Sequence, residues 1–79
     1  ELVLCCWSAG QKTEKHGHKG RKCWFRCVQG NLSEKRETSV EMNHYTEGEW
    51  GSIDDSFGEH EMFNLTDGNI ISLHFYNEI

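Results

Sequence analysis

Apolar residues in this chain fall into short runs, and each run is followed by a polar stretch that usually contains glycine. Leu2–Trp7, Lys22–Val28, His60–Leu65 and Ile70–Tyr76 are such runs, rich in aliphatic and aromatic residues. None of them shows a sustained helical period, and the composition suits strands. The pattern predicts one all-β, mainly antiparallel domain over residues 1–79, a small sandwich or barrel of about five or six strands.

The local patterns refine this expectation. The uninterrupted apolar run Leu2–Trp7 predicts a central strand covered on both faces, and the alternation in Thr38–Thr46 predicts another strand. Gln11–Lys22, Gln29–Lys35 and Glu47–Gly58 are polar or glycine-bearing and are expected to form loops or turns. The last strand has two alternating faces, one apolar (Ile71, Leu73, Phe75) and one more polar (Ser72, His74, Tyr76).

Four cysteines offer covalent staples, and all lie in the first part of the chain: Cys5, Cys6, Cys23 and Cys27. A chain of 79 residues with 35% hydrophobic content has a small core, so disulfides are expected to stabilise it. A bond between adjacent Cys5 and Cys6 is strained, which leaves two connectivities: Cys5–Cys23 with Cys6–Cys27, or Cys5–Cys27 with Cys6–Cys23. Zinc held by these cysteines with His16 and His18 is the alternative. Because no Cys-x-x-Cys pair is present, we predict disulfides, no metal and no cofactor.

Several features favour an extracellular protein. Asn31 and Asn64 each begin a glycosylation acceptor pattern, Asn-Leu-Ser and Asn-Leu-Thr. The chain begins at Glu1 without methionine, as a chain trimmed after a signal peptide would. No apolar run approaches the ~20 residues that a membrane-spanning helix requires. We therefore expect a secreted, disulfide-bonded glycoprotein with no transmembrane segment.

Charge is distributed unevenly along the chain. All eight Lys and Arg residues lie between Lys12 and Arg36, and ten carboxylates with no Lys or Arg follow. The basic loop 12–22, with Trp24 after it, predicts contact with an anionic membrane, cell surface or glycan polymer. No nucleic-acid-binding motif accompanies the loop. The candidate binding residues are Lys12, Lys15, His16, His18, Lys19, Arg21, Lys22 and Trp24.

Other chemistries remain as alternatives. Acid–base catalysis by His44, His60 or His74 with a glutamate would suit a small secreted nuclease. The cysteines and histidines would suit a metal-binding module. An acidic loop has the oxygen ligands that calcium prefers (Glu47, Glu49, Asp54, Asp55 and Glu59), although its spacing matches no EF-hand. No nucleophile elbow, phosphate loop or metalloprotease motif is present, so we predict a binding protein rather than an enzyme.

Two segments, Lys19–Phe25 and Phe57–Leu65, resemble the hairpins of βγ-crystallin-like Greek-key domains. His18-Lys19-Gly20-Arg21 stands where that family has an aromatic-x-Gly turn, and Asn69-Ile70-Ile71-Ser72 resembles the closing part of its motif. The resemblance implies a small secreted domain of the antifungal or killer-toxin type. Together with the basic loop, it leads us to expect a non-enzymatic toxin, host-defence or effector protein that contacts an anionic surface.

Overall fold

The computed structural model describes residues 1–77, so the last two residues of the predicted 1–79 domain lie outside the described part. Within it, a short 3₁₀ helix (Asp55–Phe57) lies between the fifth and sixth of seven strands. The strands are β1 (Leu2–Trp7), β2 (Cys23–Gln29), β3 (Asn31–Arg36), β4 (Asn43–Thr46), β5 (Trp50–Ile53), β6 (His60–Phe63) and β7 (Ile70–Tyr76). Among residues 1–77, no helix has the length and apolarity that a membrane crossing needs.

The strands form two antiparallel sheets. One has the order β1-β7-β2-β5 and the other the order β4-β3-β6. Their inner faces enclose a core of Trp7, Cys23, Phe25, Cys27, Leu32, Ile53, Met62 and Ile70. The prediction of an all-β antiparallel sandwich is confirmed. The predicted strand number was too low because β3 and β5 lie in the segments that were predicted as turn and loop, Gln29–Lys35 and Glu47–Gly58.

Two predicted strands differ in position or extent. β1 forms a strand as predicted, but it lies at the edge of its sheet, and Leu2 and Leu4 are 60% and 68% exposed. The strand predicted for Thr38–Thr46 is shorter, because only Asn43–Thr46 pairs with β3. Val40, in the part of this segment that forms no strand, is 96% exposed.

The predicted disulfides are wrong, since all four cysteines are free thiols. Strand β7 lies between β1 and β2, so that Cys5 is opposite Ser72 and Ser72 is opposite Cys27. Two strand spacings of about 4.8 Å put such residues ~10 Å apart, beyond the ~7 Å between Cα atoms that a disulfide tolerates. Cys23 and Cys27 are instead buried in the core.

The segment Gln11–His16 was predicted as part of an exposed loop, but it runs along the free edge of β6. Thr13 N–H donates to the Met62 carbonyl at 2.9 Å, and His16 and His60 exchange backbone hydrogen bonds of 3.0 and 2.9 Å. These bonds form isolated antiparallel bridges beside β6. They give this polar segment a fixed position next to the core.

Candidate metal centre

Three histidine side chains meet at the end of the sandwich where the segment Gln11–His16 reaches β6. The antiparallel bridge between His16 and His60 places these residues side by side, and His18 follows on the same segment. One ring nitrogen from each histidine lies within 4.8 Å of those of the other two. His18 and His60 are buried, and His16 is half-buried. Imidazole nitrogens converging in this way are a set of metal ligands.

Hydrogen bonds determine which ring nitrogens carry protons. His16 Nδ1 lies 2.8 Å from the carbonyl oxygen of Glu14, and His60 Nδ1 lies 2.8 Å from Glu34 Oε2. A carbonyl or carboxylate oxygen only accepts, so both Nδ1 atoms donate. In the neutral tautomer that has hydrogen on Nδ1, the lone pair of each ring is on Nε2. These two Nε2 atoms are 3.1 Å apart. At this separation the two nitrogens can either share a proton in a hydrogen bond or bind one metal ion together.

His18 completes the set as a neutral ligand. Its Nδ1 atom is buried and has no hydrogen-bond partner among the described residues. Burial, followed by repulsion from His60 and His16, lowers the pKa of His18 to about 4. The ring is therefore uncharged at neutral pH, the form in which histidine binds metals. An unpartnered buried nitrogen beside two converging lone pairs fits a bound metal ion.

The carboxylate of Asp55 accepts two backbone hydrogen bonds from the turn that carries His18. Asp55 Oδ1 accepts from the His18 N–H at 2.9 Å, and Oδ2 accepts from the Gly20 N–H at 2.5 Å. Both bonds lower the pKa of Asp55, so the carboxylate stays ionised. Lys19, between them, has a φ of 53°, the left-handed conformation of a tight turn. These two hydrogen bonds fix the backbone of the turn at His18.

Glu34 lies behind His60 and is fully buried. Its Oε1 accepts from Arg36 Nε, Asn43 Nδ2 and the Tyr45 hydroxyl at 2.9, 3.0 and 2.8 Å, and its Oε2 accepts from His60. Burial alone would raise the pKa of Glu34, but these hydrogen bonds outweigh it and lower the pKa to about 2. A buried carboxylate is therefore kept ionised next to a metal-ligand candidate.

Two spaces with shared lining residues adjoin the cluster. An open groove of about 730 Å³ is lined by His16 and His18, with Lys19, Arg21 and Tyr76 beside them. A smaller interior cavity of about 80 Å³ lies on the other side. Its lining comprises the cluster histidines with Cys5, Trp7, Thr13, Cys23, Met62, His74 and Tyr76. Tyr76 and the histidines of the Gln11–His18 segment thus border both spaces, so a ligand in the groove would reach the cluster.

Ser72 of β7 links two residues of the cavity lining, Trp7 and His74, by hydrogen bonds. Trp7 Nε1–H donates to Ser72 Oγ at 2.9 Å, and the Ser72 hydroxyl lies 2.8 Å from His74 Nε2. Burial and the nearby histidines lower the pKa of His74 to about 4. Burial and contact with Cys23 raise the pKa of Tyr76 to about 12, and burial raises that of Cys23 to about 11. At neutral pH all these groups are uncharged.

The structure separates the residues that were predicted to bind an anionic surface. His16 and His18 belong to the cluster, whereas Lys19 and Arg21 lie at the mouth of the groove. Lys12 and Lys15 are exposed, and Lys22 Nζ lies 5.0 Å from the centroid of the exposed Trp24 ring. Binding of an anionic surface by these residues stays a prediction.

The other candidate sites lie elsewhere or are occupied by the protein's own groups. His44 is exposed and contacts Ser33, away from His60 and His74. Asn64 is fully buried, and its amide donates to the carbonyls of Trp7 and Gly68, so this acceptor pattern is closed to glycosylation in the fold. Three carboxylates of the predicted calcium loop accept hydrogen bonds from backbone N–H groups of the protein. Glu49 accepts from Thr46, Asp54 from Ser56 and Asp55 from His18.

Comparison with known proteins shows which family the sequence of this chain is similar to. The sequence profile of cysteine dioxygenase type I matches residues 1–78. Cysteine dioxygenase type 1 from Rattus norvegicus is 29% identical over 87 residues, which covers 96% of this chain and 44% of the rat protein. The chain thus spans less than half the length of the curated relatives that it matches.

Solved structures show the same architecture. A sugar phosphate isomerase of the cupin superfamily from Silicibacter pomeroyi has a TM-score of 0.84 at 16% identity, covering 99% of this chain and 50% of that one. The cupin domain of an XRE family transcriptional regulator from Enterobacter cloacae has a TM-score of 0.84 at 13% identity, covering 99% of this chain and 80% of that one. At these identities the similarity shows the cupin fold alone.

These findings correct the predicted family and function. The resemblance to βγ-crystallin-like domains is wrong, because the family profile matches almost the whole chain and the structural neighbours are cupins. The predicted toxin, antimicrobial or effector function, with its disulfides and glycosylation, is wrong for the same reason and because the thiols are free. The alternative of a metal-binding module fits better, with histidines rather than cysteines as ligands. The extracellular location stays a prediction.

Proposed function

This chain belongs to the cysteine dioxygenase type I family, and from that premise we propose that the protein oxidises cysteine, or a closely related thiol, at an iron centre. The ion would be held by His16, His18 and His60. The observation that carries the proposal is the convergence of their ring nitrogens within 4.8 Å beside a groove. Imidazole suits iron, and a protein ligand set that leaves positions open is typical of non-haem iron oxygenases.

The proposed reaction adds both atoms of O₂ to one sulfur. The S–H compound becomes a sulfinic acid, R–SH + O₂ → R–SO₂H, so atoms and electrons balance without a further reductant. When bound, iron supplies the redox chemistry by which O₂ reacts with a thiol. The residues of this chain have the tasks of holding the ion, orienting the thiol and setting the proton state around it.

The groove suits a small substrate that carries a carboxylate group. Lys19 and Arg21 lie beside His16 and His18 along its lining, so two cationic side chains, with the carboxylate of Glu1, are near the metal-ligand candidates. A guanidinium binds a carboxylate through two parallel hydrogen bonds. A thiol with a carboxylate a few bonds from its sulfur, as in cysteine, would place the sulfur at the histidines and its carboxylate at the rim.

Uncharged groups on the inner side support the oxidation step. Tyr76 keeps its proton at neutral pH, since its pKa is about 12, and its ring borders both spaces. Its hydroxyl can therefore donate a hydrogen bond to a ligand at their junction. The small size of the interior cavity, about 80 Å³, limits the water on the inner side of the cluster.

The proposal is tested with the purified protein loaded anaerobically with Fe²⁺. On mixing with cysteine and ¹⁸O₂, we expect O₂ consumption at an electrode and, by mass spectrometry, a sulfinic acid with two ¹⁸O atoms. Replacing His16, His18 or His60 singly by alanine should remove turnover, because each loss leaves two protein ligands.

His44→Ala is the matched control. His44 is an exposed histidine outside the cluster, so this variant should oxidise cysteine at the wild-type rate. A wild-type protein that binds iron but forms no labelled sulfinic acid would contradict the proposed function. Full turnover in all three cluster variants would contradict the proposed ligands.

A further inference from the structure

The buried carboxylate of Glu34 divides its two oxygens between different tasks. Its Oε1 is surrounded by donors from β3 and β4: Arg36 Nε, Asn43 Nδ2 and the Tyr45 hydroxyl, at 2.8 to 3.0 Å. Its Oε2 has one hydrogen-bond partner among the described residues, His60 Nδ1 at 2.8 Å. Three donors thus fix the carboxylate on one side, and the other side faces the imidazole alone.

The strand order brings these groups together. β3 is the middle strand of its sheet, with β4 on one side and β6 on the other. Glu34 lies opposite Asn43 of β4 and Met62 of β6, two residues along β6 from His60. Its inward side chain can therefore contact both neighbours. Taking a carboxylate out of water costs several kcal/mol unless its oxygens are bonded, so a glutamate in this place requires all its partners.

We propose that Glu34 is a positioning residue for the metal centre: it holds the His60 ring with hydrogen on Nδ1 and directs the Nε2 lone pair toward His16 and His18. The inference rests on the proposed metal centre. A carboxylate that accepts only from the remote ring nitrogen fixes the tautomer and orientation of a histidine ligand and makes its free nitrogen more basic. The three donors to Oε1 keep the carboxylate from turning away.

A purely structural role for Glu34 makes different predictions. Suppose that the carboxylate only neutralised the charge of Arg36 and accepted the hydrogen bonds of Asn43 and Tyr45. The tautomer of His60 would then be free to vary, and a substitution at Glu34 would change metal affinity only as far as it changed the stability of the fold. If Glu34 positions His60, removal of its charge should weaken metal binding even where the protein remains folded.

The first measurement needs no substitution. In metal-free, ¹⁵N-labelled protein, long-range ¹H–¹⁵N correlation spectra report which imidazole nitrogen of His60 carries hydrogen. We expect Nδ1 to be protonated and Nε2 to have the chemical shift of an unprotonated nitrogen. A His60 ring with hydrogen on Nε2 alone would overturn the proposal.

The second measurement compares Co²⁺ affinity. Glu34→Gln keeps the size of the side chain and removes its charge, and titration of the visible Co²⁺ absorption gives the dissociation constant. We expect binding 10- to 100-fold weaker than in the wild type, the usual range for loss of a partner behind a metal ligand. Near-ultraviolet circular dichroism and thermal unfolding verify that the variant is folded at the temperature of the titration.

Ser33→Ala is the matched control. Ser33 is a buried polar residue on the same strand, and its hydroxyl contacts His44, a histidine outside the cluster. Its Co²⁺ dissociation constant should stay within twofold of the wild type. A folded Glu34→Gln protein with unchanged Co²⁺ affinity would overturn the proposal. Neither measurement involves turnover, so absence of thiol oxidation would contradict the proposed function alone.

Discussion

Arg21 is the residue best placed to respond to the charge of a substrate. It lines the groove beside His16 and His18, and its guanidinium carbon lies 4.9 Å from the centroid of the Tyr76 ring. Its contact with Glu1 is long, at 3.5 Å, and both side chains are partly exposed, so this pair contributes little. The guanidinium is therefore available to a carboxylate in the groove.

We expect Arg21→Gln to lower kcat/KM for cysteine about 10- to 150-fold, because a hydrogen bond to a charged group contributes about 1.5–3 kcal/mol. Cysteamine, a thiol without a carboxylate, should be oxidised by the variant and the wild type at the same low rate. Steady-state O₂ uptake with the two thiols gives both values.

Arg26→Gln provides the control for loss of a cation. Arg26 lies on the exposed face of β2 and is not part of the groove lining. Its guanidinium carbon is 5.5 Å from the centroid of the Trp50 ring. This variant should behave as the wild type with either thiol. An equal loss with cysteine and cysteamine in Arg21→Gln would contradict recognition of the carboxylate.

At the same scale, single residues explain why the sequence revealed only part of the site. His16 and His18 were recognised as a candidate pair, but a pair of histidines on a polar segment does not identify its third partner. His60 lies 44 residues from His16, and only the antiparallel bridge brings them together. Glu34 resembles any surface glutamate in NLSEKR, and its burial depends on donors from two other strands.

At the scale of elements, β5 depends on a glycine that the core leaves no room to replace. A Cβ at Gly51 would lie 2.5 Å from the ring atoms of Phe25 and 2.7 Å from Tyr45 Cε1. Phe25 and Tyr45 pack edge to face at 4.9 Å, and the Tyr45 hydroxyl contacts Glu34. Gly51→Ala would therefore displace rings that support the carboxylate behind the metal centre.

We expect Gly51→Ala to lower the free energy of unfolding by about 1–3 kcal/mol, the usual cost of excess volume in a packed core. Urea denaturation of the metal-free protein measures it. Gly68→Ala is the control, since a Cβ there meets no atom within 4 Å, and its stability should be close to that of the wild type. Equal stability of the two variants would show that β5 can move away from the rings.

The patterns of three strands explain which elements were predicted. β2 and β7 alternate clearly, and both were found where the sequence indicated. β3 was missed because its inward face includes Glu34, so it lacks an apolar alternation. In β7 the alternation is correct, but the buried positions after Ile70 are Ser72 and His74, since this strand lines the interior cavity. An alternating hydrophobic pattern thus predicts where a strand lies. It does not predict which face is buried when, as in β7, the buried face borders a polar site inside the sandwich.

At the scale of the whole molecule, the low hydrophobic content led us to expect disulfides, but the structure gives another explanation for it. The buried residues include polar ones from several strands and loops: His18, Ser33, Glu34, His60, Asn64, Ser72 and His74. Their hydrogen bonds, for example Trp7 to Ser72 and Tyr45 to Glu34, replace part of the apolar packing. An interior built around a polar site needs fewer apolar residues, and a bound metal would add stability by mass action.

The same interior makes the metal-free protein sensitive to acid. His74 is buried beside Trp7, Phe25 and Ser72, and positive charge on His60 or His16 would also disfavour its protonation. Its pKa is about 4 in the folded protein and 6.5 in the unfolded chain. As pH falls below 6.5, the unfolded chain binds a proton first, so the stability contributed by neutral His74 decreases until about pH 4.

We expect His74→Gln to remove about 2 kcal/mol of the stability difference between pH 7.5 and pH 5, an amount that follows from these two pKa values. Urea unfolding in the presence of a chelator measures it. Glu34 does not interfere, because its lowered pKa affects stability only below about pH 4.5. His18, with a pKa of about 4, contributes equally to both proteins. His44→Gln, at an exposed histidine, should keep the wild-type dependence, and the same dependence in His74→Gln would show that His74 is accessible to protons in the fold.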